Sequence, residues 1–437
     1  MRAHVLMSVL TCFAVACSGG GQGSPSDSAG GGGATDAGGT GGAGGSVAGG
    51  SGGTGGTEQP PAHSWPEPRL KIPGATKPAV AVTPGGTVLL AYSLDQKLWL
   101  QRDPEHSSSR EMLEDQVGDG IDIRAVTDPT SEHAFLIDGN LRAWWIDSVT
   151  TEHAGFQVSS WWNATSLSIS WTSGRPVVAM RSNHDNTEYW VHAWQAPPGG
   201  GAALPTPDEA TLLGTELFAA QLYDEAPSFV ALTGDTGVVV FSQPGYTSQN
   251  PYGRYARWMS VGRDPSRAAD DGAYYLPGAA GMLELPVPQS ENASWVAIHP
   301  VGGAAVLTWH MVPECACQVN DIYMQRLAFD ANGVPSLEGG AVNVSGTSGQ
   351  TDESDPPIVR AASAGKIWVA WRESAFGPRV ALYDASLQRE WVGAPAVDAR
   401  CDLTQPLSAV ADSSGALWVA AVMRPADDPE VWLWRIE

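Results

Sequence analysis

Two arginines stand inside short apolar segments, where a charged side chain is unusual. Arg124 lies within the letters IDIRAV, and Arg360 lies within PIVRAA. A guanidinium group suits the binding of a carboxylate or phosphate, because its N–H donors form a fixed planar fork. An unpaired charge there would be costly, so the arginines either form ion pairs with neighbours such as Asp122 or Glu373, or bind an anion. Arg372 and Glu373, which follow the next apolar run, belong to the same candidate ligand site.

Carboxylates recur between the apolar runs, and two close pairs could hold a cation. Calcium prefers several carboxylate and carbonyl oxygens. The pairs are Asp352 with Asp355, and Asp427 with Asp428. Their spacing matches no EF-hand, and solubility is the simpler explanation for most of these acids. Calcium, or a cationic ligand, is the alternative that they leave open.

The cysteines indicate a disulfide or a metal site. Beyond residue 17 the chain has Cys315, Cys317 and Cys401, and three cysteines cannot all pair within one molecule. In an oxidising compartment we expect a disulfide from Cys401 to Cys315 or Cys317, with a Cys315–Cys317 bond as the alternative. A site of three cysteines and His310 for zinc or copper is the remaining possibility.

The elements that position these residues form a repeat. The stretch Pro357–Asp384 reads as three short strands, with a turn that closes at Gly365. Proline precedes glycine by eight residues, or nine in one copy, and glycine precedes the end of the second strand by six. The matching triplets are Pro357, Gly365, Trp371; Pro78, Gly86, Tyr92; and Pro406, Gly415, Ala421. Weaker copies end near Asp138, Met180, Leu232 and Trp309.

A regular array of short strand groups predicts an all-β fold, a β-propeller of about seven four-stranded blades over residues 65–437, with six or eight possible. The last unit ends at its third strand, Val431–Ile436. We expect Arg69–Ile72 to supply the missing fourth strand of that unit and so to close the ring. The other predicted fourth strands are Arg110–Asp115, Thr151–Val158, Glu209–Gly214, Val342–Gly346 and Gln388–Gly393.

Tryptophans within the strands are expected to fill the space between blades rather than to bind sugars. They are Trp99, Trp309, Trp368, Trp371, Trp418, Trp432 and Trp434. The long interval after Leu232 predicts either an eighth unit or an insertion at Gly253–Gly278. Such an insertion would be a solvated loop or a lid over one face.

The segments PIVRAASAGKIWVAW and PAVAVTPGGTVLLAY resemble the blades of sialidase-like propellers. That family's marker turn, Ser-x-Asp-x-Gly-x-Thr-Trp, has no intact copy: Thr233, Asp235 and Gly237 misplace the aromatic residue, and Asp412 to Trp418 has the wrong spacing. The resemblance implies a site in the central funnel, formed in that family by three arginines, a tyrosine–glutamate pair and an acid. Only Arg124 and Arg360 match part of it.

The charge excludes some partners. The formal net charge is -23, from 47 acidic and 24 basic residues. Such a surface repels phosphate backbones, so we expect no nucleic acid partner.

The N-terminus predicts export and a tether. Residues 1–16 have Arg2, an apolar core and small residues before Cys17, as in a secretory signal peptide. The Ala-Val-Ala-Cys end resembles the lipobox of bacterial lipoproteins, which implies lipidation of Cys17 and, with Ser18 next, an outer-membrane or cell-surface location; plain secretion is the alternative. Residues 17–64, rich in glycine, read as a flexible tether.

These features favour a lipoprotein with a monomeric, non-catalytic propeller head that binds a protein or a glycan. A sialidase-like or other glycan-cleaving enzyme, and a metal- or thiol-dependent role of the cysteines, are the alternatives.

Overall fold

The computed structural model describes residues 65–437 with several short gaps. The gaps are residues 118–122, 151–152, 158–163, 173, 184–187, 199–208, 218–225, 243–254, 288–290, 314–320, 347–352, 374–376, 396–399 and 403–404. Cys17, Cys315, Cys317 and Asp352 therefore lie outside the described residues, as does Asp122.

After Leu70–Pro73 (β1), the strands fall into antiparallel groups that we number as blades 1 to 7. Blade 1 consists of Thr76–Val82 (β2), Val88–Leu94 (β3), Lys97–Arg102 (β4) and Arg110–Glu114 (β5). Blade 2 consists of Ile123–Thr127 (β6), His133–Asp138 (β7), Arg142–Asp147 (β8) and His153–Gln157 (β9). Blade 3 consists of Ala164–Thr172 (β10), Arg175–Asn183 (β11), Glu188–Gln195 (β12) and Gly214–Leu217 (β13).

Blade 4 consists of Ser228–Ala231 (β14), Thr236–Ser242 (β15), Tyr255–Arg263 (β16) and Ala273–Glu284 (β17). Blade 5 consists of Glu291–Val301 (β18), Ala304–Pro313 (β19), Asp321–Phe329 (β20) and Pro335–Asn343 (β21). Blade 6 consists of Glu353–Ala361 (β22), Ile367–Glu373 (β23), Gly377–Tyr383 (β24) and Arg389–Gly393 (β25).

Blade 7 contains Arg400–Cys401 (β26), Ser408–Ala411 (β27), Leu417–Arg424 (β28) and Glu430–Ile436 (β29). Both β26 and β27 pair with β28, so together they form an interrupted inner strand. The 3-10 turns among the described residues are Glu209–Thr211, Ser363–Gly365 and Pro425–Asp427.

The blades form a closed ring, and the chain is a seven-bladed β-propeller. The inner strands contact one another in sequence, β2, β6, β10, β14, β18, β22 and β27, and β27 contacts β2 again. The predicted closure is confirmed, because β1 pairs antiparallel with β29, from Leu70 opposite Leu433 to Pro73 opposite Glu430. Blades 3 and 4 are joined further by two residue pairs between β12 and β17.

Each seam between neighbouring blades holds its own apolar cluster. Side chains alternate between the two faces of a strand, and here both faces meet a neighbouring blade. In β15, Val239 and Phe241 pack toward blade 3, whereas Val238 and Val240 pack toward blade 5. The second strands are therefore continuously apolar rather than alternating.

Tryptophans fill these seams as predicted. Trp309, Trp371 and Trp434 are almost completely buried, and Trp368, Trp418 and Trp432 are buried as well. Trp99 is partly buried, and Arg110 lies over its ring. Burial of one such side chain is worth several kcal/mol, so the seams supply much of the stability of the ring.

The predicted insertion at Gly253–Gly278 is wrong. This segment contributes most of β16 and the start of β17, the third and fourth strands of blade 4. Leu232 directly follows the inner strand of that blade and not, as predicted, its second strand. The described residues of the interval complete blade 4 and form neither an eighth unit nor a lid.

The predicted fourth strands are partly confirmed. Those of blades 1, 2 and 6 agree with β5, β9 and β25. Glu209–Gly214 is mostly a 3-10 turn that leads into β13, and Val342–Gly346 overlaps only the end of β21.

Candidate functional site

The candidate site is the central channel, which is the space enclosed by the seven inner strands. The inner strands are edge strands, so side chains of the next blade satisfy some of their open backbone groups. Ser408 Oγ accepts a hydrogen bond from Val80 N at 2.9 Å, between blades 7 and 1. Ser228 Oγ accepts one from Ile298 N at 2.7 Å, between blades 4 and 5. These bonds hold the wall of the channel rigid.

Arg360 lies on the wall of this channel, on the inner strand of blade 6. Its Nε donates to the carbonyl oxygen of Ala409 in blade 7 at 3.0 Å, and its Nη1 donates to that of Val359 at 2.9 Å. The guanidinium group is partly buried, and these two backbone carbonyls fix its plane. Neither carbonyl carries a charge that would neutralise the guanidinium group.

Arg124 lies on the inner strand of blade 2, across the ring from blade 6. Its positive charge, after burial, lowers the pKa of Arg360 to about 10. Arg360 therefore remains charged at neutral pH. The two arginines act on one another electrostatically, although 236 positions separate them in the sequence (360 minus 124).

His299, on the inner strand of blade 5, belongs to the same environment. Burial, together with the charge of Arg360, lowers the pKa of His299 to about 3. Its Nε2 lies 3.0 Å from Thr308 Oγ1. The imidazole is neutral at physiological pH and adds a polar group without a charge. Sequence reasoning missed this residue, although a histidine between Ile298 and Pro300 in an apolar strand was a visible signal.

The strand register shows where the predicted site residues lie along their strands. Counted from the turn into the second strand, Arg360 is in the second residue pair and Arg124 is in the fourth. Arg360 is opposite Trp368, and Glu373 lies five residues further along β23. That separation is roughly 17 Å. Glu373 and Arg372 therefore do not join Arg360, and the predicted Arg360–Glu373 ion pair is wrong.

Arg372 and Glu373 instead belong to a buried polar cluster at the other end of blade 6. Glu373 Oε2 lies 2.6 Å from Arg379 Nε, and Glu373 is completely buried. Arg372 donates through Nη1 to the carbonyl oxygens of Asp402, at 3.1 Å, and Gln405. Removing one member would leave a buried charge uncompensated, so these contacts fasten blade 7 to blade 6.

The predicted cation pairs find no support among the described residues. Asp427 and Asp428 are exposed beside a 3-10 turn, and the carbonyl oxygen of Asp427 accepts a bond from Arg424. Within the described part of the chain, no three histidine, cysteine or acidic residues are grouped to hold a metal ion. Asp352 lies outside that part, and the side chain of Asp355 is not described.

Cys401 lies on β26, is mostly buried and forms no disulfide within the described part of the chain. Burial raises its pKa to about 11, so it is protonated and a weak nucleophile at neutral pH. Its predicted partners Cys315 and Cys317 lie outside the described residues, so the disulfide stays a prediction. His310, the fourth member of the suggested metal site, is completely buried beside Trp295.

Asp412 stabilises a turn whose spacing does not match the marker turn of sialidase-like propellers. Asp412 Oδ1 accepts hydrogen bonds from the backbone N–H groups of Ser414 and Ala416, and Oδ2 accepts one from Trp418 Nε1 at 3.1 Å. Hydrogen bonds to the charged form lower the pKa of Asp412, against the effect of burial. An aspartate thus ties a turn to the following tryptophan despite the altered spacing.

Comparisons with known proteins give little beyond these observations. No family model matches the chain, and no curated protein does. None of the helices among the described residues is long and apolar enough to cross a membrane.

Three solved structures that are similar to this chain have low TM-scores. A chain of a structure described as the mitotic checkpoint complex is 12% identical, with a TM-score of 0.42; the match covers 87% of this chain and 95% of that one. An acylaminoacyl peptidase of Pyrococcus horikoshii is 13% identical, with a TM-score of 0.42, over 85% of this chain and 52% of the peptidase. The N-terminal domain of Nup159 is 10% identical, with a TM-score of 0.37, over 83% and 91%. We draw nothing about function from these likenesses, and the chain is assigned by its strand pairing to the β-propellers alone.

Proposed function

We propose that this chain is an exported lipoprotein whose monomeric propeller head binds a protein or a glycan without cleaving it. The central channel, with Arg124 and Arg360, takes an anionic group of that partner. Lipidated Cys17 and the glycine-rich residues 17–64 hold the head at the outer membrane or cell surface.

The observation that carries this proposal is the charge of the channel wall. Both influences on the pKa of Arg360, burial and the charge of Arg124, act against its protonated form, so an anion that binds there would relieve an unfavourable arrangement. A guanidinium group held by two backbone carbonyls is also preorganised, which lowers the entropy cost of binding.

The surrounding charge limits the kind of anion. With a net charge of -23, the molecule repels polyanions at long range, whereas an isolated carboxylate on a larger, mostly neutral partner meets the arginines at short range. A uronic or sialic acid on a glycan, or an acidic residue of a protein, has this chemistry.

Cleavage of a glycan is the second candidate, because the arginines line the channel in which that chemistry would occur. Glycoside cleavage generally uses two carboxyl groups about 5 to 10 Å apart. Among the described residues, the influences on the pKa of Arg360 and His299 are burial and a neighbouring arginine. Binding of an anion needs no such pair of carboxyl groups, so it accounts for the arginines with fewer requirements.

The test uses the head, residues 65–437, with N-acetylneuraminate, glucuronate and inorganic phosphate as probes in calorimetry. We expect at least one carboxylate sugar to bind, with affinity reduced at least tenfold by Arg360→Gln. Arg400→Gln, the same change at an exposed position, should leave binding intact. Equal binding by Arg360→Gln, or no binding of any probe, would refute the channel site.

Turnover of a chromogenic sialoside or glucuronide that is abolished by Arg360→Gln would favour the enzyme instead.

The anchor has a separate test. Cys17→Ala in the full chain should move the protein from the membrane fraction to the soluble fraction, because the modified thiol carries the lipid. An unchanged distribution would refute the lipidation without affecting the channel site.

A further inference from the structure

A groove of about 790 Å³ lies between blades 4 and 5, away from the channel arginines. It opens at the end of the ring that carries the turns from first to second strands. Its walls come from the turns after β14, β18 and β20 and from the outer strands of blade 4. The volume is within the range of about 300 to 1,000 Å³ typical of small-molecule sites.

The groove exists because of glycines and a break in strand register. Ser260 of β16 lies at a β-bulge. Met259 is opposite Ala280 whereas Val261 is opposite Pro277, so β17 has one residue more than β16 at this point. A Cβ atom added at Gly262 would meet nothing within 4 Å, so this part of the wall is bare backbone. Elsewhere the wall is tightly packed: a Cβ atom at Gly278 would lie 2.7 Å from Ser260 Oγ. The shape is therefore built into the strands and does not depend on a mobile loop.

The lining combines an apolar floor with an acceptor-rich rim. Leu327 is buried in the apolar cluster beneath the groove, and Phe329, which packs against that cluster, is partly exposed. Asp330 and Glu338 stand exposed at the rim. The turn that carries Asp330 is rigid, because Asp330 Oδ1 accepts hydrogen bonds at 2.8 Å from the N–H groups of Asn332 and Val334.

This lining selects against charged anions. The described residues that line the groove include no lysine, arginine or histidine. The nearby Arg326, which is opposite Glu338 across the strands, donates instead to the carbonyl oxygen of Ala385 in blade 6. Carboxylate and carbonyl oxygens accept hydrogen bonds, so a ligand must donate them, and the floor must meet an apolar surface.

We propose that the groove between blades 4 and 5 is a carbohydrate site that takes a neutral sugar ring. A pyranose has one face of C–H groups, which suits Phe329 and Leu327, and a rim of hydroxyl groups that can donate to Asp330 and Glu338. The site is separate from the channel and does not depend on the function proposed for Arg124 and Arg360.

The test uses saturation-transfer NMR on the head with maltotriose, cellotriose and mannotriose as probes. We expect transfer to at least one of them. Gly262→Trp should fill the groove and reduce that transfer at least tenfold, because the position is open and its backbone needs no positive φ. The matched control is Gly340→Trp, an equally open glycine of β21 that does not line the groove, which should bind like the wild type.

Three outcomes would overturn the proposal. They are no transfer to any of the three sugars, equal transfer in Gly262→Trp and wild type, and displacement of the sugar by spermidine at equal concentration, which would indicate a cation site. Arg360→Gln should leave this binding unchanged, so failure at the groove and failure in the channel are distinguishable.

Discussion

The seam between blades 6 and 7 is closed at the same end of the ring where the seam between blades 4 and 5 is open. Trp368 Nε1 donates to the carbonyl oxygen of Gly415 at 2.8 Å, which ties blade 6 to the turn of blade 7. A Cβ atom at Gly415 would lie 2.7 Å from Ser363, so the two turns touch. Between blades 4 and 5 the corresponding turns leave the groove.

One position explains much of this difference. Trp368 is in the second residue pair from its turn, opposite Arg360, and the same position in blade 4 is Val238, opposite Val230. Both side chains face the following blade. An indole is long enough to reach the next turn and has an N–H donor for its carbonyl, whereas an isopropyl group has neither property. This side chain therefore contributes, together with the glycines and the register break of blade 4, to the difference between the closed and the open seam.

The largest expected effect comes from removing that indole. Trp368→Ala should lower the free energy of unfolding by about 3 to 5 kcal/mol, because a large buried ring is replaced by a cavity. Val238→Ala should cost about 2 kcal/mol at the open seam. Urea unfolding of the head measures both. If the two variants lose the same stability, the indole is not what distinguishes the seams.

Acid should weaken blade 5 more than blades 6 and 7, since the sequence from residue 353 onward contains no histidine. Burial lowers the pKa of His310 to about 3, so the folded state keeps it neutral while the unfolded chain binds a proton below about pH 6.5. Stability is therefore complete above pH 6.5 and is lost as the pH falls toward 3. Between pH 7 and pH 5 the loss should be about 2 kcal/mol.

His310→Phe should remove the part of that dependence that His310 causes and leave the part caused by His299, whose pKa is also lowered to about 3. His106→Phe, at an exposed position, should remove none of it. Urea unfolding at both pH values measures the difference. An unchanged slope in His310→Phe would show that the imidazole is not buried in neutral form.

Substitution of two glycines of blade 4 should distinguish a tightly packed position from an open one. A Cβ atom at Gly237 would lie 2.4 Å from the ring of Phe229, so Gly237→Ala should cost about 1 to 3 kcal/mol through overpacking. Gly262→Ala should change stability by less than about 0.5 kcal/mol, because its Cβ would project into open space. Thermal unfolding checks both, and a similar cost at the two sites would mean that the groove is closed in solution.

The smallest effect is expected at a third kind of seam. Between blades 1 and 2, Glu132 accepts hydrogen bonds from Thr83 Oγ1 at 2.5 Å and from Gly85 N at 2.7 Å. The bond from Thr83, chiefly, lowers the pKa of Glu132. Glu132→Gln should cost about 1 kcal/mol at pH 7, and this difference should fade as the pH falls below about 4.5 and the wild-type carboxylate is protonated. A constant difference across pH would exclude the carboxylate as the cause.

Strands could be predicted from the sequence where the local residue pattern is typical of a strand. They could not be predicted where pairing with a neighbouring strand keeps a segment extended against its local pattern. Proline–glycine spacing and apolar runs identified the strands of blades 1, 6 and 7 and the closure by β1. In contrast, β17 contains Pro277, Gly278 and Gly281, which normally mark a loop. Its pairing with β16 keeps it extended despite these residues. Gly339 and Gly340 obscured β21 for the same reason.

The candidate site was predictable by residue type but not by geometry. Arg124 and Arg360 could be identified because a charged residue in an apolar run is costly unless it has a partner or a ligand. Their offset by two residue pairs, and the influence of Arg360 on His299, depend on how the strands of three separate blades pair. The groove gave no signal, since glycines that line a cavity look the same in sequence as glycines in turns.

The pairing of β1 with β29 also sets the order in which the molecule can fold. The strand β1 has no partner until Glu430–Ile436 has been synthesised, so the edge of this early strand stays open until the last strand is present. A chain truncated before Glu430 would lose the partner of β28 and of β1 at once. We therefore expect such fragments to aggregate through exposed strand edges, and the ring to be completed only when the last strand has been made.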